Sequence, residues 1–240
     1  MIIKELKSEI EGIDIYLLDQ ILKERYQQND VILDTGCGSG RNLKRFYENK
    51  LTVYGVDSLE SRIEEVKEKY TEQHSNFSLQ NLDQLQFENH FFDHVICSTV
   101  LHFAQNIQQF KRMVAELFRV LKPGGFAKIM IYHKHSPVGW MLWIKYGLFK
   151  FRPFRSLENI YSDYLESPGT KAYTIEEAKE LVKQFSNAEI SVQLSFGDLL
   201  DGNVGVRHKG WVLSLAKAMY PKLLIKIIKL NFFLDCNTPC

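Results

Sequence analysis

The sequence predicts an α/β fold: a doubly wound, mostly parallel sheet of seven strands with helices on both faces. Three observations predict it. Short apolar runs recur along the 240 residues, at 31–34, 52–56, 76–79, 94–98, 126–132, 188–196 and 230–236. Segments with helical spacing of apolar residues alternate with them, at 13–26, 41–49, 59–72, 105–121 and 174–186. The first strand runs straight into a glycine loop. Alternation of this kind places helices over both faces of a parallel sheet.

The elements carry their own boundary signals. Val31-Ile-Leu-Asp34 is a short apolar strand, and Thr35-Gly-Cys-Gly-Ser-Gly40 follows as a loop. Gly36, Gly38 and Gly40 sit at alternate positions, where only glycine combines positive φ with close approach to a ligand. A helix opens at Arg41-Asn42-Leu43, and the N–H groups of a helix start favour anions. Thr52-Val-Tyr-Gly-Val56 ends in Asp57. Thr174-Ile-Glu-Glu177 is a capping box. Pro123-Gly124-Gly125 is the stop signal of the 105–121 helix. The segment 135–172 interrupts the alternation and is read as an inserted helical cap. It carries Trp140, Trp143, Tyr146, Phe149, Phe151 and Phe154 interspersed with Lys145, Lys150, Arg152 and Arg155.

Composition narrows the class. Thirty Lys and Arg against 29 Asp and Glu leave a net charge of +1, which gives no global reason to expect nucleic acid. Cys37, Cys97, Cys236 and Cys240 have neither metal-ligand spacing nor the density of a disulfide scaffold. Cys37, inside the glycine loop, and Cys97, inside an apolar strand, read as reduced thiols of a cytoplasmic protein. The charged N-terminus lacks the pattern of a secretory signal, and no apolar run reaches the roughly 18 residues that span a bilayer.

An acid at the end of the second strand, about 20 residues beyond the first, is placed to hold both ribose hydroxyls of a nucleoside. The loop is Gly-x-Gly-x-Gly, with Arg at position 41, rather than the Gly-x-Gly-x-x-Gly of dinucleotide sites. No Lys-Ser/Thr pair follows, which excludes a P-loop. Asp34, Gly36, Gly38, Gly40 and Asp57 together resemble the first motif and second-strand acid of class I S-adenosylmethionine-dependent methyltransferases, small-molecule type. Gln80-Asn-Leu-Asp-Gln-Leu-Gln-Phe87 looks like the family's Gly-Asp-Ala-x-x-Leu-Pro-Phe segment. Asn81 stands there at the acidic position, and its amide oxygen can still accept from an adenine amine. Phe92–Phe103 resembles the fourth strand and its loop, and Arg119-Val-Leu-Lys-Pro-Gly-Gly125 the segment before the fifth.

The resemblance covers residues 13–132 and implies a Rossmann-like fold and S-adenosyl-L-methionine as cofactor. It implies cofactor contacts from Asp34, Gly36, Cys37, Gly38, Gly40, Asp57, Ser58, Asn81, Leu82, Ser98 and Thr99. The chain then reads as one methyltransferase domain: a cofactor-binding core over 13–134, the cap over 135–172 and the end of the sheet over 173–240. Methyl transfer from a sulfonium needs alignment and exclusion of water, with a base only for a hydroxyl or protonated amine acceptor. His102 and His133, near carboxyl ends of strands, are the candidate bases.

No metal is expected, because His133-Lys-His135 is followed by no ligand at metal spacing. The acceptor is expected to be small or lipid-like. The basic amphipathic run 211–229 and the aromatic cap make peripheral contact with a membrane an option. The competing readings are a non-catalytic nucleoside-binding protein with the same fold and an NAD-dependent dehydrogenase, the latter disfavoured by the glycine spacing.

Overall fold

The computed structural model describes residues 14–135, 137–164, 169–185, 188–192 and 232–237. The run 211–229 lies outside the described residues. The chain divides into two compact units. The first comprises Met1–Ser98, Ala115–Lys128 and Asn237–Cys240, and the second Thr99–Val114 and Ile129–Cys236.

The first unit is built on five strands: β1 (Val31–Thr35), β2 (Thr52–Asp57), β3 (Phe77–Leu79), β4 (Phe92–Ser98) and β5 (Leu121–Met130). They lie side by side in the order β3-β2-β1-β4-β5. β1 runs parallel to β2 and to β4, and β2 runs parallel to β3. The order reverses between β1 and β4, where an open parallel sheet presents a crevice at its carboxyl edge. Burial follows: Ile32, Leu33, Val95 and Ile96 are almost wholly enclosed, as expected of strands covered on both faces.

Helices α1 (Ile15–Leu22), α2 (Lys44–Glu48) and α3 (Glu60–Lys69) belong to this unit. Asp14 caps α1, accepting the N–H groups of Tyr16 and Leu17 at 2.9 and 3.2 Å. α2 is shorter than the expected 41–49 helix. Residues Arg41–Leu43 form a 3-10 turn after Gly40, whose φ is 73°, so five α-helical residues remain and the dipole at the loop is correspondingly small.

α4 (Ile107–Val120) passes directly into β5. Pro123-Gly-Gly125 therefore lies inside the strand and does not separate it from the helix. The cause is local. Asp93, at the start of β4, accepts the Val31 N–H at 2.9 Å and grips the Lys122 ammonium at 2.8 Å. This draws the beginning of β5 so close that a Cβ on Gly125 would sit 2.9 Å from the Asp93 carbonyl oxygen.

In the second unit α5 (Pro137–Trp143) and α6 (Leu157–Tyr164) form a hairpin with a π-helical turn at Ile144–Leu148. Leu142, Ile160 and Tyr161 make its buried centre. α7 (Ile175–Leu181) starts with the expected capping box: Glu177 donates its N–H to Thr174 Oγ1, and Thr174 donates its N–H to Glu177 Oε2 at 2.7 Å. β6 (Glu189–Val192) and β7 (Phe232–Asn237) pair antiparallel, Ile190 opposite Leu234. Among the described residues no helix is long and apolar enough to cross a membrane.

Candidate cofactor site

The glycine loop is fastened from three sides. Gly36 and Cys37 donate their N–H groups to the Val56 carbonyl at 2.7 and 3.0 Å. Gly38 donates its own to Asp57 Oδ2 at 3.0 Å. The Tyr70 hydroxyl donates to the Gly40 carbonyl at 2.6 Å. The alternate glycines serve different purposes. A Cβ on Gly40 would lie 2.4 Å from the Tyr70 ring and 2.7 Å from Val66, so packing against α3 demands glycine there. A Cβ on Gly38 would meet nothing within 4 Å. That glycine faces open space, and its φ of 52° is a left-handed backbone that glycine adopts freely.

Asp34 and Asp57 are the two acids of the site, and their surroundings differ. Asp57 is partly exposed. Its Oδ1 accepts the Leu59 N–H at 3.0 Å, and its Oδ2 takes the Gly38 N–H. Each oxygen keeps capacity for one more donor, which suits a pair of ribose hydroxyls. Replacement by Ala removes that anchor together with the tie on Gly38. We expect a loss of about 1.5–3 kcal/mol in cofactor affinity, measured by calorimetry, with Asp57→Asn losing less because it keeps one oxygen. Unchanged affinity in both variants would remove Asp57 from the site.

Asp34 is 1% exposed, and neither carboxylate oxygen has a hydrogen-bond partner among the described residues. Burial pushes its pKa up to about 7, against the pull of the Arg41 charge, the nearby Asn42 amide and Lys128. A buried carboxylate without donors is costly unless something pairs with it. A second buried polar group acts on it electrostatically. Lys128, toward the carboxyl end of β5, is 1% exposed and pairs with Asp14 Oδ2 at 3.1 Å. Ser98 donates its hydroxyl to the same oxygen at 3.0 Å. Burial alone would raise the Asp14 carboxyl, but Lys128, the Tyr16 N–H and Ser98 outweigh it and hold the group below its usual range. Ser98 is thus committed to Asp14 by its hydroxyl.

The remaining expected residues are arranged as follows. Cys37 is buried in the loop, with its thiol pushed upward by burial and by the acids Asp34 and Asp57, and it approaches the Gly38 carbonyl at 3.7 Å. Ser58 and Asn81 are exposed, and Leu82 is buried. The loop from Asn81 onward is clamped by Arg119. That guanidinium donates to the carbonyls of Leu85 and Phe87 at 2.9 and 2.7 Å and to Asn89 Oδ1 at 2.9 Å. Glu116 pairs with it and accepts the Leu85 N–H at 2.7 Å. The Arg119 segment acts on this loop as well as preceding a strand.

Thr99, where the chain leaves β4, has φ 57°, a strained value for a β-branched residue. In the second unit His102 is fully enclosed, its ring 4.0 Å from that of Phe103 and 4.8 Å from that of Tyr132. His133 is half-buried. Burial and then the neighbouring His135 hold its pKa below the usual imidazole value, against Glu176. Among the described residues no three His, Cys, Asp or Glu side chains cluster as metal ligands.

Sequence reasoning missed the part played by Lys128, although a lone lysine inside the apolar run Phe126-Ala-Lys-Ile-Met130 was a visible signal. It also missed Asp14, legible only as a helix cap.

The glycine loop at the switch point, the two acids and the open face at Gly38 have the chemistry that suits a nucleoside-binding α/β unit. Residues 33–129 match the family model described as "Methyltransferase domain", so the chain is similar over this stretch to S-adenosylmethionine-dependent methyltransferases. It is 33% identical over 112 residues to the 2-phytyl-1,4-naphtoquinone methyltransferase of Trichormus variabilis, covering 44% of this chain and 48% of that one. The chain thus spans about half the length of that relative. It is 25% identical to the ubiquinone biosynthesis O-methyltransferase of Rickettsia canadensis, covering 73% of this chain and 80% of the relative. The fold is that of a solved S-adenosylmethionine-dependent methyltransferase from Methanosarcina mazei, with 18% identity, a TM-score of 0.60, and coverage of 91% and 97% of the two chains.

The residues present fit S-adenosylmethionine, the cofactor of this class. Asp34 offers an unpartnered buried carboxylate to a cationic methionine end, Asp57 offers acceptors to a ribose, and Gly38 leaves room beside them.

Proposed function

We propose that the chain transfers a methyl group from S-adenosylmethionine to a small, lipid-like acceptor of the quinone-precursor kind. The single observation that carries the reading is Asp34 at the end of β1, buried with no hydrogen-bond partner among the described residues, which suits a cationic ligand and gives a plain structural turn no benefit. The acceptor class follows the two quinone-modifying relatives. The bound sulfonium supplies an activated methyl group with a neutral leaving group. The chain's residues need only hold it in line and keep water out. Ser58, Asn81, Leu82, Ser98 and Thr99 complete the cofactor contacts in this reading, and the 135–172 segment governs the choice of acceptor.

His133 is the favoured base for a hydroxyl acceptor. Its lowered pKa leaves it unprotonated and able to take a proton at neutral pH. His102, enclosed by aromatic rings, is the weaker of the two candidates. His133→Gln should lower turnover and leave cofactor affinity intact; equal turnover would assign His133 to packing. We place the reaction in the cytoplasm, with peripheral contact to a membrane where the acceptor resides.

The deciding experiment is incubation of the protein with methyl-labelled S-adenosylmethionine and lipid and metabolite extracts, followed by identification of the labelled product. A labelled prenylated or quinone-like ring supports the proposal. Tight cofactor binding with no labelled product in any extract would favour the non-catalytic binding protein. Label in nucleic acid would overturn the acceptor class.

A further inference from the structure

We propose that the tip of the α5–α6 hairpin, Leu148–Phe154, is a membrane-docking point that takes a bilayer with anionic headgroups. The inference deepens the lipid-like acceptor reading and rests on it for its purpose, but the contact itself is measurable without turnover.

The tip carries three aromatic rings turned outward. Phe149 is 63% exposed, Phe151 95% and Phe154 99%. Phe151 and Phe154 make no ring contact with any described residue. Trp140 and Leu148 on the same hairpin are about half exposed. Such exposure is not the result of a loose hairpin. The Trp143 indole donates to the Arg155 carbonyl at 3.0 Å. Tyr146 and Tyr164 stack at 3.9 Å with planes 2° apart. The base is therefore packed while Phe151 and Phe154 at the end stand almost fully in solvent.

The backbone at the tip adds an independent sign. Arg152 donates its N–H to the Gly147 carbonyl at 2.7 Å and Phe151 donates to Leu148 at 3.0 Å. These two bonds close a helix end that normally places glycine at the position Phe151 occupies. Phe151 accordingly has φ 55°, a poor value for a bulky residue. A ring that is both strained and fully wet gains nothing from this chain. It gains from an apolar phase outside it.

Charge selects which phase. Lys150 and Arg152 are exposed between the rings, and Lys145 flanks them, while Arg155 at the base is engaged by Asp163. No Asp or Glu occurs anywhere in residues 117–157. Separate protruding rings interleaved with cations match an interface of acyl chains below anionic headgroups. A docked protein would call for a continuous apolar face.

The test is co-sedimentation of the full chain with vesicles of phosphatidylcholine alone and of phosphatidylcholine and phosphatidylglycerol in equal parts. Binding to the anionic vesicles, weakened by salt, is expected. The Phe151→Gly/Phe154→Ser variant should bind them about tenfold or more weakly with unchanged cofactor affinity; glycine at 151 relieves the backbone, so folding is not at risk. Lys150→Gln/Arg152→Gln should remove the preference for anionic vesicles. Failure to bind either vesicle, or binding indifferent to the phenylalanines, overturns the proposal. So does a concentration-dependent dimer, abolished by Phe151→Gly, in a chain that ignores vesicles. Vesicle binding without methylation of any lipid-like acceptor leaves the docking point standing and removes the acceptor reading instead.

Discussion

Asp34→Asn is expected to make the protein more stable above pH 7 and to weaken its hold on S-adenosylmethionine. In the wild type the folded carboxyl titrates at about 7 and its ordinary value is 3.8. Between those values the native state keeps a proton that the unfolded state has lost. Stability therefore falls as pH rises from about 4 to 7 and levels off above. A shift of this size corresponds to a penalty on the order of 4 kcal/mol at pH 8. Asparagine carries no charge to bury, so the stability difference between variant and wild type should open across that window and stay flat above it. Urea denaturation at pH 4, 6 and 8 measures it. Cofactor binding has the opposite interest. A cationic ligand end needs the ionised carboxylate, so wild-type affinity should rise by up to tenfold per pH unit toward 7 and then level, with a proton released on binding. The variant should bind more weakly and without this pH dependence. A stability difference that does not change with pH, or an unaltered affinity, would refute the account. The groups facing Asp34 that bear on the result are Arg41, Asn42, Lys128 and Asp14.

Lys128→Met should be the most destabilising single change in the first unit. It leaves Asp14 as a buried carboxylate with its cation gone and takes a favourable charge away from Asp34. Breaking one half of a buried pair typically costs about 3–5 kcal/mol, a large share of the stability of an ordinary domain. The double variant Asp14→Asn/Lys128→Met removes both charges and should recover much of that loss. A double-mutant cycle in urea measures the coupling. Additive losses would show that the 3.1 Å pair contributes nothing beyond its separate parts. Asp14 also caps α1, so Asp14→Asn, which keeps a capping oxygen, is the proper partner in the cycle.

Much of the fold was legible in the sequence because its signals are local. Five of the strand runs landed within a few residues of the parallel strands around β1. The Thr174–Glu177 box formed as written, since a cap needs only residues three apart. The glycine loop was legible because left-handed backbone is a property of single residues, and all three glycines have positive φ. Asp93, at the start of β4, has a structural role that the fold discloses, holding Val31 and Lys122. The boundary of β5 was misread because proline and glycine usually interrupt a strand, and here the pull of Asp93 on Lys122 overrides that preference.

The sequence by itself determined the alternation of elements, the glycine loop and the acids at the ends of β1 and β2, since each depends on periodicity or on one residue's own stereochemistry. Only the tertiary structure decided which acid is buried without donors, that Ser98 serves Asp14 from 84 residues away, that Arg119 clamps the loop after Asn81, and that Phe151 and Phe154 stay wet. Burial is a property of everything packed around a group. Its effect on a charge or a ring exists only once distant segments have met.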